Sequence, residues 1–487
     1  MAEVILVYPN SSYIETAMKN QYLPLSLLQA AVFVEKEFTV KLIDQRLTKR
    51  WDKDLTRQLK KDTLCVCFTA LTGEMINNAL EISRFVKRVS RVPVVWGGIH
   101  PSILPEQTLR NKYVDIVVVG EGEATLYDLV KALKDKSPLP EVPGIAYKTD
   151  NGIKINQARP LVDLNSLPEP PYNLVDVENY ITKFDGKNMF VLETSRGCPY
   201  RCAFCCNASF GLGSRWRALS PDKAIERMKS IKERFNIDGI EIVDDNFFID
   251  SERAKAILRR VVEEKLNIFL NICGRINDVL RLDMGNLSLL EEAGVRRLAI
   301  GIESGSQRIL DLIRKDTRVE EILDFKERID KTRIPPFYCF IGGFPTETEE
   351  DLRRSADLML KLLKGNRRAK VSIFHCLRPL PGTELTYAYI KGGLVMPSSL
   401  EDWGKYTLTY IDHPWLTNRL KRKIKMLNFV SLFLDNKYEE VSSLAVKLFA
   451  RLYRPVAYLR VKTLSTFIFL EYIFLRLYER IRRFRVF

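Results

Sequence analysis

Histidine is the scarcest residue of this 487-residue chain: it occurs three times, at His100, His375 and His413. That leaves almost no material for a histidine-rich metal site. Only one Cys-x2-Cys pair exists, Cys202 and Cys205, so a zinc site built from two cysteine knuckles has no second knuckle. The opening stretch MAEVILVYP has no basic segment followed by a long apolar one, so no secretory signal is read there. A cytoplasmic setting follows as the expectation, and in it cysteines are reduced or metal-bound rather than paired in disulfides. No apolar run is long enough to span a bilayer. Acidic residues are sparse near one end. From Pro414 to Phe487 there are 16 Lys and Arg against 5 Asp and Glu, a net +11 of the whole chain's +15. No internal repeat or low-complexity tract stands out.

What is present is a double series of short apolar runs alternating with helical patterns. In the first, VILVYP (4–9), TVKLID (39–44), TLCVCFTA (63–70), PVVWGG (93–98) and DIVVVG (115–120) read as strands, each followed by a helix-like segment. Runs apolar on both faces are the mark of a parallel, doubly wound (Rossmann-like) sheet covered by helices. The proline-dense stretch after residue 140 reads as a linker (141–186), with a hairpin in GIAYKTDNGIKI turned at Asp150-Asn151-Gly152. The second series starts near Lys187 with MFVLETS, GIEIVDDNF, NIFLNICG, RRLAIGIES, PFYCFIGGF and KVSIFHCLRP. Ser220-Pro221 marks a helix start and Gly294 a helix end. Six such units predict a partial (β/α)6 TIM-type barrel whose strand ends carry the chemistry. The fold class is thus α/β, with domains expected at 1–140 and 187–390 and a basic helical region at 391–487.

The stretch ETSRGCPYRCAFCC holds Cys198, Cys202 and Cys205 at C-x3-C-x2-C spacing, after a strand of the second series. Three thiolates from one loop can hold three irons of a cubane and leave the fourth iron open. Structural zinc and unliganded thiols are the competing readings. Zinc needs a fourth ligand, which Cys206, adjacent to Cys205, is badly placed to give. Cys65, Cys67, Cys273, Cys339 and Cys376 lie in apolar runs and read as small core hydrophobes. In the first series, VVWGGIHP and VVVGEGEA place glycine turns between a strand and a helix. Backbone N–H groups at such turns can face an anionic ligand.

CPYRCAFC at the end of a first barrel strand resembles the signature of the radical S-adenosylmethionine (SAM) enzymes. The resemblance implies a [4Fe-4S] cluster on Cys198, Cys202 and Cys205, with SAM on the open iron. Reductive cleavage of SAM then yields a 5′-deoxyadenosyl radical, with electrons from a reductant such as ferredoxin or flavodoxin. Phe204 matches the position whose backbone sits by adenine. Val243-Asp244-Asp245-Asn246 stands where the family has its Gly-Gly-Glu-like motif, so Asp244 or Asp245 can accept from the SAM amino group. Glu303 and Ser304 in GIESGSQRIL, and Gly342 and Gly343 in FIGGFPTETEEDL, match later SAM motifs. Arg275 is the candidate for the SAM carboxylate.

The upstream glycine turns resemble the cobalamin-binding domain of class B radical SAM enzymes. On that resemblance Thr69, Thr72, Gly97, Gly98, Gly120, Glu121 and Gly122 are the cobalamin candidates. The Asp-x-His-x-x-Gly cobalt motif is missing, since VYPNSSYIE stands in its place. His100 lies after the fourth strand, away from the axial position, so cobalamin without a histidine ligand is expected.

The resemblance implies C-methylation of an unactivated carbon on a lipophilic small molecule (lipid, polyisoprenoid or tetrapyrrole). A cyclase forming a ring or C–C bond on such a substrate is the alternative, and a non-catalytic iron–sulfur redox protein is a third reading. The tail TLSTFIFLEYIFL, followed by RLYERIRRFRVF, suggests an interfacial helix that would make the protein peripheral on the inner face of the cell membrane. A helical cap packed on the barrel is the competing reading. No RNA-binding module appears, so nucleic acid is not an expected partner.

Overall fold

The structure is a computed structural model describing residues 2–11, 21–208, 215–391, 393–407, 410–437 and 444–466. The chain forms two compact units, one of residues 1–241 and 378–408, the other of 242–377 and 409–487. These units do not follow the sequence-derived boundaries at 140, 186 and 390.

In the first unit, β1 (Val4–Tyr8), β2 (Val40–Asp44), β3 (Cys65–Thr69), β4 (Val94–Gly97) and β5 (Ile116–Val118) pair in parallel. Their order is β2-β1-β3-β4-β5, the doubly wound arrangement the alternation predicts. β1, β3 and β5 are buried almost throughout, as a sheet covered on both faces requires. The predicted hairpin forms β6 (Ile145–Thr149) and β7 (Gly152–Ile155). It adds antiparallel to β5 and makes a seven-stranded sheet, so part of the expected linker belongs to the first domain's sheet.

Residues 397–406 also fold onto this domain. Trp403 is fully buried and its indole donates to Gln107 Oε1 at 2.7 Å. Gln107 Nε2 in turn donates to Pro397 O at 2.7 Å, and Asn77 Nδ2 to Gly404 O at 3.2 Å. After the linker, β8 (Thr182–Phe184) pairs antiparallel with β9 (Lys187–Leu192). The short strands β10 (Ser195–Arg196) and β11 (Arg217–Ala218) form a two-stranded ribbon. Ser220 caps the following helix, Pro221–Arg234, by accepting from Lys223 N. β12 (Gly239–Ile242) carries the chain into the second unit.

The second unit is built on β13 (Phe269–Gly274), β14 (Val295–Glu303), β15 (Pro336–Gly342) and β16 (Lys370–Val371), parallel in that order. Gly294 adopts φ 81° at the end of the helix Met284–Glu292, where a Cβ would lie 2.7 Å from Ile268 O. Along β15, covered and half-exposed residues alternate, so one sheet face is packed under helices and the other is less covered. KVSIFHCLRP is not one strand: β16 stops at Val371 and β17 (His375–Cys376) restarts beside β15. Side chains of the C-terminal segment take the backbone N–H groups of the interrupted stretch. Val371 N donates to Asp435 Oδ2 at 2.8 Å and Phe374 N to Ser431 Oγ at 3.0 Å.

Candidate functional site

The cysteine loop leaves β9 through the β10–β11 ribbon, in which Ser195 faces Ala218 and Arg196 faces Arg217. Gly197 turns the chain with φ 83°, and a Cβ there would sit 2.6 Å from Arg215 O, so no other residue fits without moving the ribbon. Cys198 and Cys205 are half-buried and Cys202 is buried. Cys205 N donates to Cys202 O at 3.0 Å, which curls the second half of the loop and places Phe204 in its turn. Leu385 N, from the returning segment, donates to Ala203 O at 2.9 Å. Among the described residues no three His, Cys, Asp or Glu side chains are grouped as ligands of one metal ion. A cubane spreads its ligands over separate irons, so its thiols need not converge on a point. The donor set, three half-buried or buried thiols in one loop at a strand end, suits such a cluster better than a zinc ion.

A buried charge knot holds the stem of this loop. Arg196 Nε donates to Glu193 Oε2 at 2.7 Å, Nη1 to Glu121 Oε1 at 3.1 Å and Nη2 reaches Glu123 Oε1 at 2.7 Å. Arg217 Nη2 lies 2.6 Å from Glu121 Oε1 and its Nη1 2.5 Å from Val162 O. Gln29 Nε2 donates to Glu193 Oε2 at 2.7 Å. Burial alone would lower the Arg196 pKa; carboxylates Glu193, Glu123 and Glu121 reverse that and raise it. Burial alone would raise the Glu121 pKa; hydrogen bonding and charge from Arg217 and Arg196 lower it instead. Sequence reading assigned Glu121 to cobalamin; in the structure its carboxylate is engaged by the stem of the cysteine loop. The other knot members were missed, because Arg217 lies 96 residues from Glu121 along the chain. The one sequence signal was an arginine directly before the Gly197-Cys198 pair.

The cobalamin candidates cluster at the C-terminal ends of β3, β4 and β5. Gly98 (φ 94°) lies so close to the β3 loop that a Cβ would be 2.7 Å from Thr69 Oγ1 and 2.9 Å from Ala70 N. Thr72 Oγ1 lies 2.9 Å from His100 Nδ1. Gly97 has ordinary room, Gly120 (φ 87°) has its N–H on Ser102 Oγ at 2.9 Å, and Gly122 abuts Ala30. Thr69, Thr72, Gly97 and Gly98 therefore line one rim, to which Ser102 ties Gly120 by donating to Gly98 O at 2.7 Å, while the Glu121 side chain turns into the charge knot.

His100 is fully buried, edge-on to Trp403 at 5.5 Å, and burial lowers its pKa to about 3. A histidine in the unfolded chain takes up a proton near pH 6.5, so below that pH the unfolded state binds more protons than the fold. The contribution of this site to stability is complete above pH 6.5 and falls as pH drops toward 3. At pH 5 the loss is about 2 kcal/mol. In urea unfolding followed from pH 7 to pH 5, His100→Gln is expected to flatten the pH dependence by that amount. An unchanged slope would contradict the assignment.

The SAM candidates of the second unit divide into groups. Glu303 (φ 63°) and Lys315 form a buried ion pair at 2.7 Å, folded over Gly301, where a Cβ would be 2.3 Å from Glu303 Oε1. Arg275 donates to the backbone oxygen of Lys315, so these three residues meet at the ends of β13 and β14. Ser304 instead faces Ser355, its Oγ 3.0 Å from Ser355 Oγ. Asp244 is buried and its backbone oxygen accepts from Cys273 Sγ at 2.9 Å; Asp245 is exposed. Gly342 is required by the Phe374 ring, 2.5 Å from where a Cβ would be, and Gly343 (φ 85°) by Cys376 Sγ at 2.8 Å. Lys315 was missed; it stands twelve positions after Glu303 among Arg308, Arg314 and Arg318, and nothing local sets it apart from them. Of the five cysteines read as core, Cys65 and Cys67 are buried, whereas Cys273, Cys339 and Cys376 are only partly covered; burial still pushes these three thiols up to about 12.

Residues 192–359 match the model of the radical SAM superfamily and residues 16–130 that of the B12 binding domain. The chain is 32% identical over 411 residues to an uncharacterised methyltransferase of Pyrococcus horikoshii, covering 84% of this chain and 86% of that one. It is 25% identical to the anaerobic magnesium-protoporphyrin IX monomethyl ester cyclase of a Synechocystis species, covering 65% of this chain and 64% of the cyclase. The solved structure of the cobalamin-dependent SAM radical enzyme OxsB, with aqua-cobalamin and SAM bound, superposes with a TM-score of 0.73. It is 20% identical and covers 99% of this chain and 75% of that one. At that identity the likeness speaks to the fold, an α/β chain with an N-terminal B12-binding domain and a curled half-barrel.

Proposed function

We propose C-methylation of an unactivated carbon as the reaction of this chain, which belongs to the radical SAM enzymes that carry a B12-binding domain. It is an enzyme of the methyltransferase or cyclase kind. The observation that carries the reading is the joint presence of the three-cysteine loop after β9 and the glycine-lined rim at the ends of β3 and β4. The cofactors are a [4Fe-4S] cluster, SAM and cobalamin. When bound, they supply one-electron cleavage of SAM and a transferable methyl group.

Cys198, Cys202 and Cys205 would hold the cluster. The β10–β11 ribbon and Gly197 would orient them. Phe204 would bring its backbone to the adenine, and Asp244 or Asp245 would accept from the SAM amino group. Glu303, Ser304, Gly342 and Gly343 complete the proposed SAM set. Arg275 and Lys315, joined at the ends of β13 and β14, offer positive charge for the carboxylate of SAM. Thr69, Thr72, Gly97 and Gly98 would cradle cobalamin, with Gly120, Glu121 and Gly122 at the edge of that site. His100, held neutral beside Thr72, would keep this rim free of positive charge.

The relative acting on magnesium-protoporphyrin IX monomethyl ester supports a lipophilic substrate and keeps ring formation as the second reading. A reductant of the ferredoxin or flavodoxin type would deliver the electron. Incubation of reduced, reconstituted enzyme with SAM, cobalamin and candidate lipid or tetrapyrrole extracts tests this by product mass. A gain of one CH2 per product is expected. A loss of two hydrogens would transfer the assignment to cyclisation, and no SAM cleavage would leave only a redox protein.

A further inference from the structure

The aromatic stretch 463–475, expected from sequence to lie on a membrane, falls almost entirely outside the described residues, and among those no helix is long and apolar enough to cross a bilayer. The preceding helix, Leu444–Thr463, shows a different feature: it is apolar on two opposite sides. One side carries Ala450, Tyr453, Ala457 and Val461, all buried. It packs inside the second unit, with the Tyr453 ring 5.8 Å from Phe429 and 5.1 Å from Phe433. The other side carries Leu444, Leu448, Leu452, Val456 and Leu459 at steps of four, four, four and three, one continuous face of an α-helix. These residues are 80%, 58%, 71%, 41% and 61% exposed. Isolated exposed leucines need no explanation, but a contiguous stripe four turns long marks an interaction surface.

The charges around the stripe indicate its partner. The helix contains five basic residues and no acidic one. At 100° per residue, Lys447, Arg451 and Lys462 fall along one border of the stripe and Arg460 along the other. A protein partner burying this stripe would have to accommodate positive side chains along both of its borders. An anionic lipid surface matches both elements: acyl chains for the leucines and headgroups for the flanking charges. We propose that the helix Leu444–Thr463 docks in the plane of an anionic membrane through the Leu444–Leu459 stripe. This goes beyond the methylation reading and does not depend on it, since docking is measured without turnover.

Full-length protein would be pelleted with phosphatidylcholine vesicles and with vesicles containing a quarter phosphatidylglycerol. Binding is expected to the anionic vesicles only and to weaken with salt. L448E/L452E, at positions exposed enough to leave the fold intact, is expected to lower the bound fraction roughly tenfold, with unchanged thermal unfolding. F469E, in the tail, is expected to keep most of the binding. Wild-type protein that does not pellet would overturn the proposal. So would L448E/L452E that binds as well as wild type, which would move the contact to the tail if F469E lost it. A wild-type dimer in light scattering that L448E/L452E abolishes, without vesicle binding, would assign the stripe to a second copy and equally overturn it.

Discussion

Serine in place of Cys198, Cys202 or Cys205 is expected to lower bound iron from about four atoms per chain to well under one and to abolish reductive SAM cleavage. A serine hydroxyl is a harder and far less acidic ligand than a thiol, so the loop would lose one corner of the cluster. The fold should survive. The loop is closed by the Ser195–Ala218 and Arg196–Arg217 pairs, and its stem by the ion pairs of Arg196, none of which needs iron. Cys206→Ser is the internal control. Cys206 opens a separate short helical turn, Cys206–Ala208, and its loss is expected to leave iron content unchanged. Iron and sulfide assays with EPR of the reduced protein check this. Full iron in Cys202→Ser would show that the ligand set is drawn wrongly.

The second large effect is expected at Arg196. Its side chain is 15% exposed and meets Glu121, Glu123 and Glu193, which are 10%, 3% and 23% exposed. Arg196→Gln removes the charge, leaves Arg217 on Glu121, and takes from Glu123 and Glu193 the guanidinium they meet. Breaking a buried ion pair from one side typically costs about 3–5 kcal/mol, because the surviving charge stays desolvated. Here the cost falls two residues before Cys198. Urea unfolding should show a loss of that order, and iron retention should fall with it. Arg196→Lys keeps the charge but not the three-pronged geometry and should recover only part. Glu121→Gln should cost less, since Arg196 keeps Glu123 and Glu193. Equal unfolding midpoints for wild type and Arg196→Gln would show that the knot contributes nothing to stability.

The strands of both series were legible because β-branched and aromatic runs bounded by glycine turns have few alternative structures. β1 to β5 form within each predicted run, and the Gly294 helix end and Ser220 cap stand where they were read. Features that depend on distant partners were not legible. Nothing local in EDWGKY tells that Trp403 will bury itself against Gln107 in the first domain. KVSIFHCLRP has the pattern of one strand, and only Asp435 and Ser431, more than fifty residues on, divide it. Glu121 reads as a cobalamin residue because it sits between two turn glycines, and its second engagement, with the stem of the cysteine loop, was not legible. Its partners Arg196 and Arg217 are 75 and 96 residues away. Gly342 and Gly343 matched a cofactor motif, yet Phe374 and Cys376 alone suffice to require them. The exposed stripe of Leu444–Thr463 was hidden because periodicity does not distinguish a buried apolar face from an open one.

The cluster and the cobalamin site are tested together by cofactor content after anaerobic purification with cobalamin supplied: iron, sulfide and the corrinoid absorption spectrum of one sample. The expected result is about four irons and one cobalamin per chain. Iron at that level with no corrinoid would contradict it, leaving the barrel assignment standing but excluding methyl transfer through the rim at Thr69, Thr72, Gly97 and Gly98.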